Sequence, residues 1–301
     1  MVLPASTRPA NKGPPPINGA MTCKTAFRTI AGHYLKELTV QHRATCAGNA
    51  DALHDMRIAL TRLRTSIAFF LPMVAGPQQR RLAEELKWLN AHLGAVRDLD
   101  VAIEWLMKVK TKRQQADHQR WMQERVESQR HLTRALRSAR FKRLITSISR
   151  WIEKGAWSTK HGIKAAGRRT RSLGEHSARQ LPRWQKKLIK KSRKLKDIDA
   201  KKRHRLRLLN KNLGYAIEAV TNLIPAAEIP NQQATLKVLR KAQRSLGQLN
   251  DDQRCQSLAA SLGQSKAVAA ELLLGPKREK RLLRAAASAY EKLAKLKSLR
   301  V

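Results

Sequence analysis

Acidic residues are scarce in this chain: 22 Asp and Glu stand against 62 Lys and Arg among 301 residues, a formal net charge of +40. That imbalance directs the protein toward polyanionic partners. Aromatic residues are few as well, at 4%. Single-stranded nucleic-acid binders interleave stacking rings with cations, whereas Trp88, Trp105 and Trp184 fall on apolar faces. The three cysteines, Cys23, Cys46 and Cys255, are odd in number and form no C-x-x-C pair. This argues against a disulfide framework or a zinc knuckle and fits a reducing cytosol. The longest apolar run, Ser66 to Gly76, is broken by Pro72 and falls short of the roughly 18 residues of a spanning helix; an integral membrane protein is not expected. Residues 1–20, rich in Pro, Ser and Asn, contain no apolar core of a secretory signal and are expected to form a disordered leader.

Apolar residues nevertheless make up 42% of the chain, so the charge lies over a packed interior rather than along an unfolded tail. Phe27, Ile30, Ala31, Tyr34, Leu35 and Leu38 recur at three- and four-residue steps, as do Leu53, Met56, Leu60, Leu63 and Ile67. That period is helical. No convincing alternating run appears, and the fold is expected to be all-α. Breaks are placed at Gly48 to Asp51, Pro72 to Pro77, Gly155 to Ser158, Asp197 to Asp199, Pro225 to Pro230 and Gly275 to Pro276.

The chain repeats itself at about half its length. His54-Asp55-Met56-Arg57-Ile58 is matched by His204-Arg205-Leu206-Arg207-Leu208, and Leu93-Gly94-Ala95-Val96-Arg97-Asp98 by Leu246-Gly247-Gln248-Leu249-Asn250-Asp251. Tyr34 and Trp184 each precede the paired histidines by 20 residues. Two related helical units follow, about 21–155 and 156–301.

On a helical projection His54, Arg57, Thr61 and Arg64 form a strip beside the stripe of Leu53, Met56 and Leu60. His204, Arg207, Lys211 and Tyr215 form the corresponding strip in the second unit. Lys87, Asn90, Gly94 and Arg97 make a third, and Arg240, Gln243, Gly247 and Asn250 a fourth. A glycine inside a helix costs roughly 1 kcal/mol against alanine. Close helix approach or access of an anion to the backbone would offset that loss at Gly94 and Gly247. Asp98 and Asp251 are expected to pair with a cation or link helices rather than act as general acid or base.

The densest charge lies between Lys154 and Lys211, where 21 Lys and Arg meet only Glu175, Asp197 and Asp199. Within it, an amphipathic helix from Arg183 to Lys196 presents Lys187, Lys190 and Lys194 around a face of Leu181, Trp184, Leu188 and Leu195. Like charges at this density destabilise the compact state unless an anion is bound. Of the nine histidines, His42, His118, His131 and His176 are expected to face solvent. His54 and His204 stand apart by repeat position. Neither has metal ligands or a nucleophile at suitable spacing, so each is assigned to phosphate donation beside the arginine three residues on.

The residues from His54 to Arg64, followed by Leu86 to Asp100, resemble the CHAD domain, the conserved histidine α-helical domain. His204 to Arg207 and Leu246 to Asp251 repeat the pattern, and the resemblance spans about 21–301. It implies two four-helix bundles related by a pseudo-two-fold axis, with a basic groove or channel between them that binds inorganic polyphosphate. It also implies a cytoplasmic protein associated with polyphosphate granules. Carried onto this sequence, the contacts are His54, Arg57, Arg62, Arg64, Lys87 and Arg97 in the first copy and His204, Arg207, Lys211 and Arg240 in the second. Thr61 stands opposite Lys211, and Asn212 and Gly214 stand opposite Arg62 and Arg64, so the second strip is poorer in arginine.

Polyphosphate also suits the composition, because a chain of phosphates without bases needs many Lys and Arg but no edge-reading or stacking side chains. Sequence-nonspecific nucleic-acid binding is the nearest alternative, although no helix-turn-helix, zinc-finger, RRM or KH pattern accompanies the charge. Polyphosphate or triphosphate hydrolysis is a second. It would need a Walker loop, a Glu-x-Glu-x-Lys cluster or an acidic strip for Mg²⁺, none of which the sequence contains. The protein is therefore expected to be non-catalytic, without metal or cofactor.

Overall fold

The computed structural model describes residues 16–107, 114–195, 197–261 and 275–301. Twelve α-helices are described, besides three short 3-10 turns: α1 (Cys23–Val40), α2 (His42–Cys46), α3 (Ala50–Phe69), α4 (Leu71–Val74), α5 (Pro77–Leu106), α6 (Gln114–Arg137), α7 (Ala139–Lys154), α8 (Ile163–Thr170), α9 (Leu173–Ser192), α10 (Ala200–Ala219), α11 (Ile229–Ser261) and α12 (Pro276–Lys295). No strand occurs among the described residues; one isolated bridge joins Thr22 to Ser172. The fold is all-α.

The helix starts repeat between the halves. Thr22 and Ser172, 150 positions apart, cap α1 and α9 by accepting the amides of Thr25 and Glu175, each at 3.2 Å. Asn49 and Asp199, again 150 apart, cap α3 and α10 through the amides of Ala52 and Lys202 at 2.8 and 2.7 Å. Each cap satisfies an amide that the first turn would leave without a partner. Gly48 sits just before the second cap with φ of 83°, a left-handed turn that glycine adopts without a Cβ clash. Most of the expected breaks fall between helices or at their first residues; the one placed at Pro72 to Pro77 instead overlaps the short helix α4, which Pro72 enters at its second residue.

In the first half, α1 packs on α3, α3 on α5 and α5 on α6, with α7 closing against α1, α5 and α6. This half has one more long helix than the four-helix bundle that the resemblance implies. In the second half, α9 packs on α10, α10 on α11 and α11 on α12. The halves meet through α3 against α10 and α5 against α11, which brings the four polar strips toward one seam. Asn210, almost fully buried, ties α10 to α11 by donating to the Leu239 carbonyl at 3.0 Å and Gln243 Oε1 at 3.1 Å.

Beneath the seam the core is continuous. Phe27 is fully buried and meets Phe70, Trp151 and Trp157 edge-on, with centroids 5.6, 5.5 and 5.2 Å away. Trp88 and Trp184 pack against this core as partly buried side chains; the Trp105 side chain lies outside the described residues.

Three expectations change. His42 does not stand free in solvent: it is half-buried, stacks on Phe141 at 5.1 Å, and its Nε2 lies 3.0 Å from the Leu136 carbonyl. His176 does not face solvent: it is buried, stacks on Phe70 at 5.1 Å, and its Nε2 bonds the Phe69 carbonyl. Burial lowers its pKa, and the stack makes the ring part of the core. The leader, placed at residues 1–20, lies outside the described residues up to 15, but its last part is packed. Ile17 is buried in the core, and the Gly19 carbonyl accepts the Gly174 amide at 3.0 Å. An apolar side chain and a backbone partner on α9 hold this stretch against the fold.

Candidate anion-binding seam

The seam gathers cations from four helices. Arg57 on α3 lies within electrostatic reach of Arg97 on α5, Arg207 on α10 and Arg254 on α11. Burial, then those three arginines, depress the Arg57 guanidinium to about 10 against the partial offset of Asp100. Lys211 on α10 is pushed down to about 8 by burial and by Arg207, Arg57 and Arg62. His54 is lowered by burial and by Arg97, Lys211 and Arg57, with Asp55 opposing. Burial also lowers Arg254. Each of these groups would hold its proton more firmly if an anion entered.

Two guanidinium nitrogens in this cluster are buried without a hydrogen-bond partner: Arg57 Nη1 and Arg207 Nε. The two residues are 150 positions apart, equivalent in the repeat, and within electrostatic reach of each other. Gly94 makes room for the first of them. A Cβ on Gly94 would stand 3.2 Å from Arg57 Nη1, and one on Gly247 would stand 4.0 Å from Arg207 Nε. Gly94 therefore admits an arginine side chain, a use distinct from both close helix packing and direct ligand contact, whereas a Cβ at Gly247 would make only ordinary contact with Arg207.

Carboxylates accompany several of these cations: Glu37 lies 4.0 Å from Arg62 Nη1. Arg97 Nη1 donates to Glu104 at 3.3 Å, and Arg125 Nε donates to Asp100 at 2.9 Å. Asp98 pairs with Arg254, linking α5 to α11 across the halves as the sequence suggested. Asn250 joins Asp251 to His204: its side chain donates to Asp251 at 3.4 Å, and its Oδ1 lies 2.8 Å from His204 Nδ1. Deeper between the halves, Arg62 lies over the rings of Tyr34 and Tyr215 at 5.9 and 5.5 Å. Thr65 on α3 donates to Asn212 on α10 at 3.1 Å.

Of the residues assigned from sequence, the structure brings together His54, Arg57, Arg62, Arg97, Arg207 and Lys211, with His204 held beside them by Asn250. It does not gather the rest. Glu84 lies 3.4 Å from Lys87 and acts on the exposed Arg64, and Arg240 reaches Glu218 at 3.4 Å. Lys187, Lys190 and Lys194 are exposed on α9 and its C-terminal turn; Lys196, at the end of that basic segment, lies outside the described residues. Sequence reasoning missed Arg254. Its signal was present, because the strip Arg240, Gln243, Gly247 and Asn250 continues at the same step to Arg254.

The family model of the CHAD domain matches residues 29–260. The crystal structure of the CHAD domain from the plant Ricinus communis is similar with a TM-score of 0.78 at 23% sequence identity, covering 98% of this chain and 99% of that chain. PptA from Streptomyces chartreusis is similar with a TM-score of 0.58 at 13% identity, covering 91% of this chain and 96% of that one. No curated protein matches the sequence. At such identities the two solved structures establish the shared fold. No described helix is long and apolar enough to cross a membrane.

Proposed function

The chain belongs to the CHAD domain family, and on that premise we propose that it binds inorganic polyphosphate, without catalysis, in the cationic seam between its halves. The observation that carries this reading is the pair of buried, unpartnered guanidinium nitrogens of Arg57 and Arg207 at equivalent repeat positions. A buried N–H without an acceptor costs about 1–3 kcal/mol, more when charged. Phosphate oxygens supply the missing acceptors, and a chain of them runs from one guanidinium to the next. Arg57, Arg207 and Arg254 grip oxygens through their forks, Lys211 adds a point charge, and His54 donates one N–H. Arg97, His204 and Arg62 extend the path. Arg64, Lys87, Arg240 and the α9 lysines, Lys187, Lys190 and Lys194, attract the polyanion from the rim.

Reciprocal contacts support the pseudo-two-fold arrangement. The Cys23 amide bonds the Arg171 carbonyl at 2.8 Å, and the Leu173 amide bonds the Met21 carbonyl at 2.7 Å; exchanging positions 150 apart turns one bond into the other. By holding polyphosphate in the cytoplasm the protein would sit on, or organise, polyphosphate granules.

Competition tests this reading against general polyanion affinity. Polyphosphate is expected to displace labelled duplex DNA from the protein at moderate salt, whereas DNA at equal phosphate concentration does not displace labelled polyphosphate. The opposite order would favour the nucleic-acid alternative, and phosphate release in the presence of Mg²⁺ would favour hydrolysis.

A further inference from the structure

A cavity of about 620 Å³ opens between the first turns of α5 and the outer face of α7, within the size range of small-molecule pockets. It is separate from the seam. Leu82 at its floor and Arg97 in the seam are fifteen residues apart on one helix, about 22 Å. The floor is apolar, made of the buried side chains of Leu82, Leu144 and Trp151. One wall is already neutralised, since Arg140 forks Glu85 at 2.8 and 3.0 Å and stacks over Trp88 at 4.3 Å. The rim carries two further cations, Arg81 and Arg143; neither has a carboxylate within 4.0 Å among the described residues, and Glu85, already forked by Arg140, feels Arg143 only at longer range.

We propose that this cavity is a second binding site, for a small organic anion with an apolar body and one acidic head. The apolar body covers Leu82, Leu144 and Trp151, while the head takes the charge-assisted bonds of Arg81 and Arg143. A bare phosphate chain matches only the rim and leaves the floor uncovered, so inorganic polyphosphate is not the ligand here. The site stands whether or not the seam binds polyphosphate.

Dye titration of the full-length protein tests it, with anilinonaphthalene sulfonate as the anionic probe and N-phenylnaphthylamine as its neutral counterpart. The double variant Arg81→Glu, Arg143→Glu is expected to weaken the sulfonate at least tenfold and the neutral dye less than twofold. Ser147→Trp, an exposed change on the α7 wall, fills the cavity and abolishes both signals, while Arg57→Gln in the seam alters neither. Circular dichroism accompanies each variant. Retained dye binding in a helical Ser147→Trp protein would overturn the proposal. Equal effects on the two dyes in the arginine variant would do the same.

Discussion

Replacing Lys211 by Met should stabilise the free protein while weakening its hold on polyphosphate. Burial and the neighbouring Arg207, Arg57 and Arg62 bring the ammonium from 10.5 to about 8. At about 1.36 kcal/mol per pKa unit, that is a penalty of at most about 3 kcal/mol on the charged form. The sign follows from proton linkage. Between pH 8 and 10.5 the unfolded chain keeps a proton that the folded chain has released, so wild-type stability rises with pH through this window and the full penalty stands below pH 8. Methionine has no proton to lose. Its advantage in urea unfolding is therefore up to about 3 kcal/mol at pH 7, smaller by about 1 kcal/mol at pH 9, and absent above pH 10.5. Affinity moves the other way. A bound polyanion restores the ammonium, so wild-type binding falls by up to about tenfold per pH unit above pH 8, whereas the variant binds more weakly at pH 7 and changes little between pH 8 and 10. A Met variant less stable than wild type at pH 7, or an equal difference at pH 7 and 10, would refute the electrostatic account.

Gly94→Ala should raise helix stability by up to about 1 kcal/mol yet weaken polyphosphate binding several-fold, because the new Cβ crowds Arg57 Nη1 at 3.2 Å; paired urea melts and binding titrations read both effects. Asp98→Asn removes the carboxylate that competes for Arg254 and should tighten binding severalfold in a filter-binding assay. Weaker binding would instead make Asp98 the residue that positions Arg254. Reversing Lys187, Lys190 and Lys194 to Glu should weaken binding in low salt and have no effect near 1 M salt, where screening acts within about 3 Å; an effect that persisted there would place α9 in direct contact.

Much of this architecture is legible in the sequence because helical periodicity and the 150-residue repeat are local patterns. The strips on α3 and α10 follow from the spacing of His54 and Arg57 and of His204, Arg207 and Lys211, and Gly94 marks where an arginine needs room. What the sequence does not show is how the halves dock. Arg254 belongs to the seam only because α11 lies against α5, and Tyr215 reaches Arg62 only because α10 lies against α3. Conversely, Lys87 looks equivalent to its strip neighbours until Glu84, one turn before it, is counted. Arg240 meets Glu218 across two helices, a contact that no spacing along the chain displays. His176 joins the core through a stack on Phe70, itself a product of α9 folding back on the first half.

The most direct test is the dissociation constant for inorganic polyphosphate of the double variant Arg57→Gln, Arg207→Gln, measured beside wild type in 0.15 M salt. Removing two mutually repelling cations should leave the thermal unfolding midpoint unchanged or higher. The account predicts binding at least a hundredfold weaker, about 2.7 kcal/mol. Wild-type affinity in that variant would contradict it.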